Sequence, residues 1–291
     1  GWKIANTAPC GPVYINLDAS DQEAPLEAPI ALPDIARHAP LPDAAPDTAS
    51  LARAAEVLSH AKHPVILFGR GARTEAAMLT ALADAGVPVP AVLTVTDALL
   101  VLEWFDGEDG PQAAWGDLGR VVRRLHACIG TCYGWDRDYA FGAVPIDNRG
   151  CASWPAFWAE RRLRPLLPAL PATLAHRVAR LADDLDARLP LHPPPALLHG
   201  DLWSGNVMTR GNTVAALIDP ACYHGHAEVD LAMLSLFAAP GADFHAGYGE
   251  LEPGAEARLA IYRLWPALVH VKLFGSGYLG LVETQLRSAG L

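Results

Sequence analysis

His199-Gly-Asp-Leu-Trp-Ser-Gly-Asn206, closed by Ala216-Leu-Ile-Asp219-Pro220, is the stretch that decides how the chain reads. It offers a carboxylate at Asp201, a carboxamide five residues on at Asn206, and a second carboxylate thirteen further at Asp219. Phosphoryl transfer from a nucleotide needs that set. One carboxylate orients the attacking hydroxyl and takes its proton, while a carboxylate and an amide oxygen hold the magnesium that neutralises the phosphates. Any single element also reads as a loop with an Asx turn, or as a strand end. The combination, on two short strands joined by a loop, carries the reading.

The order and the Asp-to-Asn spacing are those of H-R-D-x-x-x-x-N followed by D-F-G, the protein-kinase signature. On that match Asp201 is the candidate base, Asn206 and Asp219 the metal ligands, and His199 a brace for the loop. The details are narrower: Trp203 follows HGDL, Asp219 sits in IDP, and Tyr223-His-Gly-His-Ala-Glu-Val-Asp-Leu-Ala-Met233 comes next. With Tyr133-Gly-Trp-Asp-Arg, Ile146-Asp-Asn148, Trp154-Pro-Ala-Phe-Trp158, Arg161-Arg-Leu163 and Leu268-Val-His270, the chain from about residue 74 to 291 resembles the fructosamine (ketosamine) kinases. Those are relatives of the aminoglycoside and choline kinases.

The resemblance implies an α+β, protein-kinase-like bilobal fold with a mainly helical C-terminal lobe (106–291) and a remnant of the N-terminal lobe and hinge (74–105). It implies ATP and Mg2+, and phosphate delivered to O3 of a ketosamine, small or protein-borne, which then decomposes and frees the amine. It also implies roles. Leu102-Glu103-Trp104 is the hinge meeting adenine, so Glu103 and Trp104 join the nucleotide site. Asp230 braces the catalytic loop from a following helix, with His199 and Trp203 supporting it, and Glu75 pairs with a phosphate-binding lysine. An aminoglycoside or choline-like acceptor is the rival within the same chemistry.

Composition narrows the classes. The 291 residues are 51% hydrophobic, enough for a full core, and no apolar run approaches the ~20 residues of a membrane helix. The net charge is −10 with no basic cluster, which disfavours nucleic acid and anionic membranes as partners. Cys10, Cys128, Cys132, Cys151 and Cys222 form no CxxC pair, and no charged-then-apolar signal opens the chain, so a reducing cytoplasm is expected. Cys128 and Cys132 read as small buried residues, His224 and His226 as structural rather than a zinc pair, Trp154, Phe157 and Trp158 as packing, and His126 as a core histidine.

The first 73 residues differ from the rest. Pro12–Leu17 reads as a strand, Pro25–Pro46 as a proline-rich linker, Asp47 onward as a capped helix, and Pro64–Phe68 as a buried strand. Gly69-Arg-Gly71 turns into a helix over Thr74–Ala85. Gly11–Gln22, Pro46–Ala55 and Pro64–Gly71 together resemble the middle-domain segment of thiamine-diphosphate enzymes of the acetolactate synthase type, without a cofactor motif. There is no GxGxxG, and lysine occurs only at Lys3, Lys62 and Lys272, none on a strand before Glu75. The chain therefore reads as a fusion with an atypical, incomplete N-terminal lobe, and a catalytically impaired binding remnant is the alternative function.

Downstream, strands are expected over Val89–Val95 and Leu99–Trp104. A helical stripe is expected through Leu118, Val121, Val122, Leu125 and Ile129, a helix over 173–189, a short strand at Ala196–His199, and a helical tail interrupted at Pro266 and Gly275.

Overall fold

Strand formation around the hinge follows from short β-branched and leucine runs. β1 (Val65–Phe68), β2 (Val92–Val95) and β3 (Leu99–Leu102) form an antiparallel sheet in the order β1-β3-β2, with Val65 opposite Leu102 and Phe68 opposite Leu99. The computed structural model describes residues 65–68, 72–96, 99–104 and 106–291, with Ala52, Arg53 and Glu56 helical. The strand expected at 12–17, the linker, the turn at 69–71, Lys3 and Lys62 lie outside the described residues.

Helix α1 (Ala72–Asp84) has two apolar faces, and each joins a different cluster. Ala72, Ala76 and Leu79 pack on Leu100 and Leu102 of the sheet, whereas Met78 and Leu82 belong to the large core. The mixed architecture is the expected α+β fold: a small sheet-and-helix cluster above a large helical body.

α2 (Trp115–His126) buries Leu118, Val121, Val122 and Leu125 on one face, with Arg123, Arg124 and His126 at the C-terminal end where the helix dipole favours cations. The stripe stops there; Ile129 lies beyond the helix, is 54% exposed, and bridges to Ala196 instead. The helix expected over 173–189 divides at Asp184 into Ala172–Asp183 and Leu185–Arg188. β4 (Glu108–Asp109), β8 (Val207–Arg210) and β9 (Thr213–Leu217) form a second sheet, and β7 (Ala196–Leu198) pairs with β10 (Tyr223–Gly225). β5 (Tyr139–Phe141) and β6 (Val144–Ile146) form a hairpin.

After these come α6 (Glu228–Phe237), α7 (Ala242–Tyr248), α8 (Ala255–Phe274) and a final helix over Leu279–Ser288, with α3, α4 and α5 being Trp154–Trp158, Ala172–Asp183 and Leu185–Arg188. Pro266 does not interrupt α8. Proline removes a donor from the ladder at a cost of ~3 kcal/mol, but Leu264, Trp265, Ala267 and Leu268 around it are all buried, and that burial holds the helix together. Gly275 does end it, as expected.

Trp154, Phe157 and Trp158 are fully buried; Trp154 stacks on Phe157, and both tryptophans meet the Tyr262 ring at an angle, so they are core. Cys132 is exposed and Cys128 partly so, contrary to the expectation of burial, because both follow or end α2 rather than lie on its apolar face. Among the described residues no helix is long and apolar enough to cross a membrane.

Candidate active site

The loop expected to be catalytic runs from β7 to β8, and its backbone is held from α6. Asp230, with no exposed surface, accepts from the His199 amide at 2.8 Å through Oδ2 and from the Gly200 amide at 2.9 Å through Oδ1. His126 reaches the same Oδ2 through Nε2 at 3.2 Å, and its Nδ1 lies 3.0 Å from the Tyr248 hydroxyl of α7. The core histidine of the sequence reading is thus a link between α2, α7 and the loop brace. Gly200 has φ +82°, and a Cβ there would stand 2.0 Å from the Ala221 carbonyl oxygen, so only glycine lets the loop pass.

His199 ties the loop to the strand that delivers Asp219. Its Nδ1 accepts from the Asp201 amide at 3.3 Å, so Nε2 carries the proton donated to the Ile218 carbonyl at 3.0 Å. Burial holds its pKa below the usual value, which keeps the ring neutral. Asn206 follows from a 3-10 turn over Ser204–Asn206. Its amide nitrogen donates to the Asp201 carbonyl at 2.8 Å and to Asp201 Oδ2 at 3.2 Å, leaving its carboxamide oxygen for another partner. The Asn206 carbonyl accepts from the Ile218 amide at 3.1 Å, which sets the two strand ends side by side. Asp219 adopts φ +51°, a left-handed backbone that a non-glycine residue adopts only where the surroundings impose it.

The carboxylates repel one another. Asp201 is pushed up to about 7 by burial, opposed by the Asn206 hydrogen bond and reinforced by the charges of Asp219 and Asp230. Burial also raises Asp219. Glu75, on α1, is pushed up to about 7 by burial and then by Asp219, so the helix glutamate faces the same cleft. Among the described residues Glu75 has no hydrogen-bond or ion-pair partner, and the only lysine is Lys272, exposed at the end of α8. The strand beside the hinge, Val65-Ile-Leu-Phe68, carries no lysine.

Two carboxylates and a free carboxamide oxygen are hard oxygen donors, and their unrelieved repulsion suits a small divalent cation. His226, Glu228 and Glu252 also come together. However, Glu228 is bound bidentately by Arg258 at 2.6 and 2.8 Å, and burial lowers His226 to about 3 as it meets the Tyr262 hydroxyl at 2.8 Å. This is a structural knot, as the sequence reading has it for His226.

The hinge follows β3. The Glu103 amide donates to the Ala91 carbonyl at 2.8 Å, and Glu103 Oε2 accepts from the Ala91 amide at 3.3 Å, so the exposed Glu103 is tied to the residue before β2. Trp104 is 49% exposed, its indole donating to Asp106 at 3.0 Å. Arg210 of β8 donates to the Asp106 carbonyl, which ties the hinge to the strand beginning at Val207.

Asp201 also opens onto a cavity of about 400 Å³ between the loop, α6 and α8. Its walls are aromatic and apolar: Trp203, Phe237, Trp265 and Phe274 among them, with His270, and Phe141 from the β5–β6 hairpin. Asp201 is the single carboxylate in its lining. Tyr139, on the same hairpin, is held above its usual pKa by burial and by the charges of Glu75, Asp219 and Asp201, which places it beside the carboxylates. The hairpin's part in the site was not legible in sequence; Phe141 and Tyr139 are two apart and share a face, but nothing local says which face meets the cleft.

The family model for fructosamine kinase matches residues 69–289. A Synechocystis protein named as a probable ketoamine kinase is 38% identical over 203 residues, covering 65% of this chain and 66% of its own length. The mouse ketosamine-3-kinase is 32% identical over 245 residues, covering 71% of this chain and 79% of the mouse protein. A crystal structure of a fructosamine-3-kinase homologue from Thermobifida fusca superposes with a TM-score of 0.71 at 35% identity, over 77% of this chain and 81% of that one.

Proposed function

The chain belongs to the fructosamine kinase family, and from that premise we propose that it transfers the terminal phosphoryl group of ATP, with Mg2+, to a sugar hydroxyl of a ketosamine. The observation that carries the reading is the position of Asp201. It touches the aromatic cavity on one side and, through Asn206, the cluster that ends at Asp219 on the other. A hydroxyl seated in the cavity meets a carboxylate of raised basicity, and Asp201 takes its proton as the oxygen attacks phosphorus.

Asn206, through its free carboxamide oxygen, and Asp219 would hold the magnesium; when bound it neutralises charge on the phosphates. Trp203, 39% exposed and folded over Gly205, offers a flat apolar face to a sugar ring. The lining also bears on the acceptor class. A polycationic aminoglycoside calls for several carboxylates, and this cavity presents one, which favours a singly charged amine-linked ketose.

A second reading, an impaired enzyme, is favoured by one observation: among the described residues Glu75 has no ion-pair partner, and the strand Val65–Phe68 has no lysine. Charge and positioning supply nearly all of the catalysis in phosphoryl transfer, so that gap bears on rate more than on identity.

The test is turnover of ATP with a fructosamine or ribulosamine, set against an aminoglycoside and choline. Asp201→Asn is expected to lose at least ~100-fold in kcat. Equal background rates for the two proteins, on every acceptor, would end the catalytic reading. Calorimetric titration of nucleotide with magnesium separates the impaired enzyme: micromolar binding contradicts it.

A further inference from the structure

A second cavity, of about 260 Å³, lies away from the acceptor cavity on the opposite side of α6, between that helix, α7 and the first half of α8. Met233 and Phe237 of α6 face the acceptor cavity, whereas Leu231, Ser235 and Ala238 face this one. Its walls join apolar Leu231, Phe244 and Leu259 on one part to polar Ser235, His245, Glu256 and Arg263 on the rest, and it is below the ~300–1,000 Å³ of sites for drug-sized ligands.

Into it points a cation that makes no ion pair among the described residues, Glu256 acting on it only from a distance. Arg263, half-buried on α8, donates from Nε at 3.1 Å and Nη2 at 2.7 Å to one acceptor, the Ser235 hydroxyl. That hydroxyl gives its own proton to the Leu231 carbonyl at 2.6 Å. Among the described residues no carboxylate lies within ion-pair distance of Arg263. Arg258, on the same helix, shows the contrast, because Glu228 takes it with both oxygens.

Burial pulls the Arg263 pKa below its usual value, partly offset by the charge of Glu256, which with His245 is the other titratable group in the lining. A half-buried guanidinium held by one hydroxyl keeps donors for a further acceptor, and its planar fork matches a carboxylate. The apolar walls reward carbon, which inorganic phosphate does not bring.

We propose that this cavity binds a small organic carboxylate with a branched apolar body, the carboxylate on Arg263 and the body against Leu231, Phe244 and Leu259. Two sources share that chemistry: a simple carboxylic acid, and an apolar amino acid whose ammonium meets Glu256. The site is independent of the phosphotransfer reading.

Isothermal titration of the full chain with 4-methylpentanoate, L-leucine and the uncharged 4-methylpentanamide tests it. At least one carboxylate is expected to bind saturably, and the amide at least ~10-fold more weakly than it. L-leucine binding tighter than the acid supports the amino-acid source, and the reverse supports the simple acid. Arg263→Gln is expected to weaken the carboxylate at least ~10-fold, and Ala239→Phe, at the exposed rim, to block it without touching the arginine. Circular dichroism establishes that each variant is folded. Amide and acid binding equally, a folded Arg263→Gln or Ala239→Phe that keeps full affinity, or no saturable binding of either carboxylate below ~10 mM would overturn the proposal.

Discussion

Around the catalytic loop, buried polar groups are answered. Asp230 takes two loop amides and His126, His199 spans from the Asp201 amide to the Ile218 carbonyl, and Asn206 clasps Asp201. Across the cleft, α1 packs on its sheet through Ala72, Ala76, Leu79, Leu100 and Leu102, and Glu75 is pushed up to about 7 with no ion-pair partner among the described residues. The loop and the cavity that Asp201 lines are anchored in a core that includes α2, α6 and α8, while α1 is shared between that core, through Met78 and Leu82, and the small cluster. The contrast teaches that, among the described residues, the polar groups of the 199–206 loop are paired within the fold while the carboxylate on α1 is not.

The largest effect is expected where the loop has no freedom. Gly200→Ala forces a side chain into a left-handed backbone and against the Ala221 carbonyl. The two penalties, ~1–2 kcal/mol and up to ~3 kcal/mol, sum to roughly 4 kcal/mol, read as loss of the urea midpoint. An unchanged midpoint would show the loop to be more yielding than the contrast requires.

Asp230→Ala comes next. It strands two buried amides and His126, costing roughly 3 kcal/mol, and activity should fall with it because the loop loses its brace. Chemical denaturation alongside ketosamine turnover reads both.

On the other side of the cleft the sign reverses. The folded pKa of Glu75, about 7, lies above its ordinary value, so the folded state holds the proton longer and stability falls as pH rises from about 4.5 through 7. Glu75→Gln in metal-free buffer is therefore expected to be more stable than the parent at pH 8 by roughly 1–2 kcal/mol, allowing for screening, and equal to it at pH 4. If the substitution destabilises at pH 8, Glu75 has a partner and the contrast fails.

The smallest effect tests the knot beneath α6. His226 has a folded pKa of about 3, below the ordinary 6.5, so the unfolded chain protonates first and stability is lost as pH falls below 6.5. Between pH 7 and pH 5.5 that loss is about 1 kcal/mol, and His226→Gln should flatten it. A slope that survives the substitution would assign it to another buried group, such as His199.

Much of this was legible in residues. HGDLWSGN and IDP named the base and ligand candidates because phosphoryl transfer leaves few choices of side chain at that spacing. β3, α1 and the end of α8 at Gly275 followed from β-branched runs, helical spacing and glycine. Pro266 misled, because local propensity argues for a break and the surrounding burial overrides it. His126 read as a passive core residue because its partners, Asp230 and Tyr248, lie 104 and 122 positions away. The acceptor cavity was not readable for the same reason: its wall comes from a loop, a hairpin and two helices.

The sequence by itself determined the family and named the candidate groups of the cleft, since both rest on which side chains stand at short fixed spacings. Only the tertiary structure decided what those groups face: an aromatic cavity on one side of Asp201, the Glu75 carboxylate across the cleft, and the Arg263 guanidinium in a second cavity behind α6. Those are properties of long-range packing, where burial and neighbouring charge, rather than residue type, set what each group can do.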